Sequence, residues 1–156
     1  MPTIIRNTPV CLIPKELFKE EKIQEYWNVL HTLPHHENIA KDDLYQYFLL
    51  YPIPKDLDAV HDITCMYKKI QEKYSHQTDS ICINVYDEVF NIIALKENAI
   101  VYVGHFCFSV KEDVLYHLTN ILQQFYENIN GVTLFYQQLN PDILRLLNQY
   151  YEVKKL

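Results

Sequence analysis

Four carboxylates are the residues best placed to do chemistry: Asp87, Glu112, Asp113 and Asp142. Asp87 falls in a turn after a predicted strand, Glu112 and Asp113 open a predicted helix, and Asp142 opens the last one. Three or four such acids converging on one point hold a pair of metal ions for phosphodiester cleavage. Each acid also has a plainer role, since carboxylates favour helix N-termini. The adjacent His35 and His36, beside Glu37 and after Leu33-Pro34, are the only histidine pair that could hold a metal, and they fall in a predicted loop. No His-x-x-x-His or Glu-x-x-His spacing occurs on a predicted helix face, so no metal site is expected. The cysteines Cys11, Cys65, Cys82 and Cys107 form no C-x-x-C pair and sit among apolar or aromatic neighbours. They read as buried free thiols of a reducing compartment, the cytoplasm.

Glycine narrows the chemistry further. The 156-residue chain has two glycines, Gly104 and Gly131, where average usage would give roughly 11. A P-loop, a dinucleotide fingerprint or a nucleophile elbow needs two or three closely spaced glycines, and these two are far apart. No catalytic residue and no cofactor is therefore expected. The net charge is −6, and the lysines and arginines are scattered. Nucleic acids and anionic membranes need a positive footprint, so neither is an expected partner.

The elements that would position these residues follow from periodicity. Thr8 to Pro14 reads as a short buried strand, and Ile23, Tyr26, Trp27 and Leu30 mark one stripe of a helix near 15–31. The polar stretch Thr32 to Asp43 reads as a loop. An aromatic-rich strand follows near 45–53, then a helix of about 19 residues from Pro54. Residues 75–80 contain no apolar side chain and mark the boundary between two halves.

Beyond that boundary the texture turns to β. Strands at Ile81–Tyr86, Val89–Leu95 and Ala99–Phe108 are joined by the short turns Asp87-Glu88 and Lys96 to Asn98, which forces an antiparallel meander. Ser109 and Glu112 have capping-box spacing, with Ser109 as the expected N-cap. Asn130-Gly131 is expected to end that helix at positive φ. A fourth strand, a helix opened by Asn140-Pro141 and a further short strand complete the half. A right-handed crossover places the fourth strand parallel to the first. The expected class is α/β, with a ribonuclease H-like mixed sheet in a β-β-β-α-β-α second lobe over 81–156. A partial β-α-β-α first lobe precedes it over 1–75.

Two segments carry a resemblance beyond topology. Thr8 to Phe18 runs a strand into Pro-x-Glu-Leu-Phe, and Phe106 to Tyr116 has the form F-x-F-x-x-x-E-D-x-x-Y. Together they resemble an uncharacterised family of Bacteroidetes proteins with an actin-like ATPase fold. The resemblance spans essentially the whole chain but begins part-way into the family pattern. It implies a partial-length member lacking about a third of a full one, mostly a first β-β-β-α unit. Active members of that fold hold phosphate on an Asp-x-Gly turn after the first strand. The corresponding turn here is Tyr86-Asp87-Glu88-Val89, so Asp87 is the candidate nucleotide-binding residue, with Glu88 beside it and no glycine after it. The expected function is a non-catalytic scaffold or protein-interaction module; the alternative is a degenerate ATP-binding member of the superfamily. Thirteen tyrosines, and a sheet edge expected in the first half, point to a protein partner or self-association.

Overall fold

A computed structural model of the chain describes residues 1–31, 37–74 and 79–156. The chain divides into two compact units, Met1–Cys65 and Met66–Leu156. The polar residues 75–78, expected at a boundary, lie outside the described residues, as do His35 and His36.

The first unit carries more strand than its sequence suggests. β1 (Thr3–Ile5) pairs in parallel with β5 (Ala59–His61). β2 (Cys11–Pro14), β4 (Tyr47–Pro54) and β3 (Glu37–Leu44) form an antiparallel sheet with β4 in the centre. The expected loop over 32–43 is thus mostly β3, whose register with β4 runs from Glu37 opposite Pro54 to Leu44 opposite Tyr47. Its polarity belongs to an edge strand rather than a loop.

The expected helix over 15–31 is α-helical only in α1 (Ile23–Leu30). The Tyr26 hydroxyl explains the shortening: it accepts from the Lys19 N–H at 3.0 Å and donates to the Leu17 carbonyl at 2.8 Å. Backbone groups committed to that side chain are lost to a helix ladder. Behind α1, Trp27 is buried with Cys11 and Leu50. The helix expected from Pro54 begins later, as α2 (Asp62–Tyr74), because Ala59–His61 pair with β1. Tertiary pairing has overridden the helical periodicity of Leu57 and Val60.

The second unit has the expected topology. β6 (Ser80–Tyr86), β7 (Val89–Lys96) and β8 (Ala99–Cys107) form the antiparallel meander, while β9 (Thr133–Tyr136) lies parallel to β6. β10 (Val153–Lys155) adds in parallel to β9, giving the order β10-β9-β6-β7-β8. One sheet face presents Ile81, Ile83, Val85, Phe90 and Ile92 to α3 (Lys111–Phe125) and α4 (Pro141–Leu147). Val114, Leu118, Ile121, Leu122, Ile143 and Leu147 complete that core. Each such side chain taken from water contributes roughly 1.5–3 kcal/mol. On the opposite face Phe135 meets the Tyr74 ring of α2 at 4.5 Å between centroids.

Two local expectations are corrected. The N-cap of α3 is Val110 rather than Ser109, and the capping carboxylate is Asp113 rather than Glu112. Asp113 Oδ2 accepts from the Ser109 and Val110 N–H groups at 3.0 and 3.2 Å. Gly131 ends a 3-10 turn at Ile129–Gly131 and does not terminate α3, and neither glycine has positive φ. Left-handed backbone falls instead to Tyr45, Asp56, Asp87, Glu97 and Asn98. Gly104 has little room for a side chain within its own strand: an added Cβ would stand 2.6 Å from Phe106 Cε2 and 2.9 Å from Tyr102 Cε1. The ladder between β7 and β8 is irregular at Ala94/Leu95.

Candidate functional site

The candidate site is built at the β6–β7 turn. Tyr86 and Val89 pair across it, leaving Asp87 and Glu88 as the two turn residues. Asp87 has φ 44°, a left-handed conformation that glycine adopts without steric cost. An aspartate holds that conformation here, followed by Glu88 and Val89 with no glycine.

Asp87 opens onto a shallow depression of about 370 Å3. The start of α3 contributes Lys111 and Glu112, and the start of α4 contributes Asn140, Asp142 and Ile143. Three of the four carboxylates singled out from the sequence are thus brought together. Asp113 is the exception, because its carboxylate is used on backbone N–H groups of its own helix start, which hold its pKa below the usual carboxylate range. Asp142 sits behind Asn140, whose Oδ1 accepts from the Asp142 N–H at 2.8 Å, and pairs with Arg145 at 3.6 Å.

Sharing a rim is not convergence on a metal. Among the described residues no group of three or more His, Cys, Asp or Glu side chains is arranged to hold an ion. The end of β9, where a two-metal nuclease would place an acid, carries Gln137 and Gln138. Their N–H groups both donate to Asn84 Oδ1, at 2.9 and 3.1 Å. Asn84 is fully buried and fixes this strand end. One register step along the sheet, Asn91 Oδ1 meets His105 Nδ1 at 2.8 Å, and burial lowers the His105 pKa.

A polar cluster in the first unit was not foreseen. The Asp42 carboxylate accepts from the Tyr51 hydroxyl at 2.8 Å, the His61 N–H at 2.9 Å and the Thr64 hydroxyl at 2.6 Å. His61 Nδ1 accepts from the Ile63 N–H at 3.2 Å, which caps the start of α2. Burial, with Asp42 alongside, pushes the Tyr51 phenol far above its usual range. The cluster ties β3 to the first turn of α2. Reading residues 32–43 as a loop hid it, since Asp42 acquires these partners only once β3 pairs with β4.

The cysteines are free, as expected, although Cys107 is exposed and Cys65 only half-buried. Among the described residues no helix is long and apolar enough to cross a membrane.

Comparison with known proteins places this geometry. The pattern of the family described as "Protein of unknown function (DUF3822)" matches residues 3–150. The chain belongs to this family. It is also similar to a crystal structure of a Bacteroides thetaiotaomicron protein with an actin-like ATPase fold and unknown function. The TM-score is 0.82 at 16% identity, over 98% of this chain and 66% of that one. The DUF3822 chain therefore has the actin-like ATPase fold and spans about two-thirds of that relative's length. Comparison with curated proteins finds no match.

Proposed function

We propose that this DUF3822 chain is a non-catalytic module of the actin-like fold that binds other proteins. The observation carrying the reading is the turn that holds Asp87: Glu88 adds a second carboxylate beside it, Val89 stands where an Asp-x-Gly turn has glycine, and Glu112 and Asp142 line the same depression beside Lys111. Carboxylates gathered on one rim disfavour a further anion there. A triphosphate would add to that negative charge rather than offset it. The alternative role, a degenerate ATP-binding member, needs Mg2+ between Asp87 and the phosphates.

Other features support protein partners. Leu17, Val29, Leu30, Tyr116 and Tyr150 are large apolar or aromatic side chains exposed on the surface. The net charge of −6 favours protein over nucleic acid or an anionic membrane. Four free thiols suit a cytoplasmic location. With this reading goes a partial first lobe over 1–75 and a ribonuclease H-like second lobe over 81–156. Calorimetric titration with Mg-ATP is the test. The proposal expects no saturable heat at millimolar nucleotide, and a saturable isotherm lost in Asp87→Ala would establish the alternative.

A further inference from the structure

Edge strands of native sheets are usually short, charged or broken by proline, which prevents pairing with other chains. Every edge but one among the described residues follows that rule, β1 and β5 by having only three residues each. β3 carries Glu37, Lys41, Asp42 and Asp43, β10 is Val153 with two lysines, and β2 is four residues ending in Pro14. β8 does not follow it. It is the longest strand among the described residues at nine, it lies at the edge of the second unit's sheet, and it contains no Asp, Glu, Lys or Arg. The helix above it continues the pattern, since α3 has no such charge from Val114 to Phe125 and exposes Tyr116. Depletion of charge with exposed tyrosine is the composition of an interface.

The hydrogen-bond parity of β8 shows which backbone groups are available. The Phe108 N–H donates to the Glu88 carbonyl at 2.8 Å, so residue 108 turns its backbone groups toward β7. Alternation along an antiparallel pair then turns Phe106 and Gly104 the same way, and Val103, His105 and Cys107 outward. Gly104 therefore lies between two outward-facing residues. On its own face it is flanked by Tyr102 and Phe106, whose rings close over it.

We infer that β8 pairs antiparallel with β8 of a second copy of this chain, in a register centred on Gly104. Val103 stands opposite His105 of the other copy, and both outward N–H and carbonyl groups of each are exchanged. Gly104 meets its own equivalent at a close, non-hydrogen-bonded position, where the missing side chain allows the approach. Tyr102 meets Phe106 on each side of it, as cross-strand aromatic pairs. A two-fold pairing places residues against their symmetry mates, so a charged edge risks like-charge opposition. β8 carries no such penalty. The inference deepens the protein-binding reading by naming the surface and the partner, and it rests on that reading.

The test combines sedimentation over a micromolar to millimolar series with amide exchange followed by NMR. The expected result is a monomer–dimer equilibrium in which the Val103, His105 and Cys107 amides exchange slowly and lose protection on dilution. The Tyr102, Gly104 and Phe106 amides, bonded within the chain, should stay protected throughout. Val103→Pro removes an outward N–H while sparing the β7 ladder. It should weaken association by about tenfold or more, as lost backbone bonds at a two-fold interface require. A monomer at every concentration, or a dimer with rapidly exchanging Val103 and His105 amides, would overturn the pairing. Neither result bears on nucleotide binding, so failure here is distinguishable from failure of the non-catalytic reading.

Discussion

Replacing Asp42 with alanine should unfold the first unit far more readily than any neighbouring change. The carboxylate accepts three hydrogen bonds, from Tyr51, His61 and Thr64, and no other acceptor is at hand for the Thr64 hydroxyl in the described contacts. Bonds to a charged acceptor contribute roughly 1.5–3 kcal/mol each. Tyr51 retains the Ala59 carbonyl at 3.2 Å, so its loss is discounted. The expected cost is about 3–5 kcal/mol, against a total stability on the order of 8–20 kcal/mol for a chain of this size. The single tryptophan, Trp27, is 1% exposed within the same unit, so its fluorescence reports this transition directly. With a urea slope of about 2 kcal/mol/M, the midpoint should fall by about 2 M. Thr64→Val, which removes one of the three donors, should lower it by less than half as much. If Asp42→Ala shifts the midpoint no further than Thr64→Val, the carboxylate is not the hub described, and the reasoning fails.

Three further outcomes follow from local geometry. Gly104→Ala puts a methyl group 2.6 Å from the Phe106 ring, and overpacking of that kind costs about 1–3 kcal/mol. Its melting temperature should fall by about 3–10 °C; an unchanged value would mean the rings move aside freely. Glu97→Gly relieves a non-glycine residue at φ 50° and should raise stability by about 0.5–1 kcal/mol in chemical denaturation. A loss there would show that the left-handed turn is not strained. The Asp113 carboxyl is held below its ordinary value of 3.8 by the Ser109 and Val110 N–H groups. Its folded pKa is thus lower than its unfolded one, so its stabilisation is complete above that value and fades as pH falls through the folded pKa. The melting-temperature gap between wild type and Asp113→Ala should be widest near neutrality and narrow toward the acid limit; a pH-independent gap would contradict the cap.

The second unit was largely legible in the sequence, and the first was not. In Ile81–Phe108 the strands are joined by turns too short for anything but a meander, so local spacing alone dictates pairing. The first unit depends on distant pairing. β1 and β5 are joined across more than fifty residues, and β3 shows its strand character only opposite β4. Tyr26 shortened a helix through bonds to backbone seven and nine residues away, which no periodicity reveals. At the candidate site, the gathering of Asp87, Glu112 and Asp142 followed from element order, because a strand end and two helix starts share one side of this topology. The reassignment of Asp113 to the cap did not, because adjacent acids at a helix start differ only in which one reaches back.

The scarcity of glycine has acquired a physical meaning. Among the described residues five non-glycine residues hold left-handed positions, and the turn at one of them, Asp87, carries a second acid, Glu88, with no glycine after it. A thermal scan of the chain with and without millimolar Mg-ATP tests this most directly. The account predicts coincident transitions. Binding at a hundredfold excess over the dissociation constant would add about 2.7 kcal/mol, which is roughly 5–10 °C. A rise of that size, growing with nucleotide concentration and absent in Asp87→Ala, would contradict it.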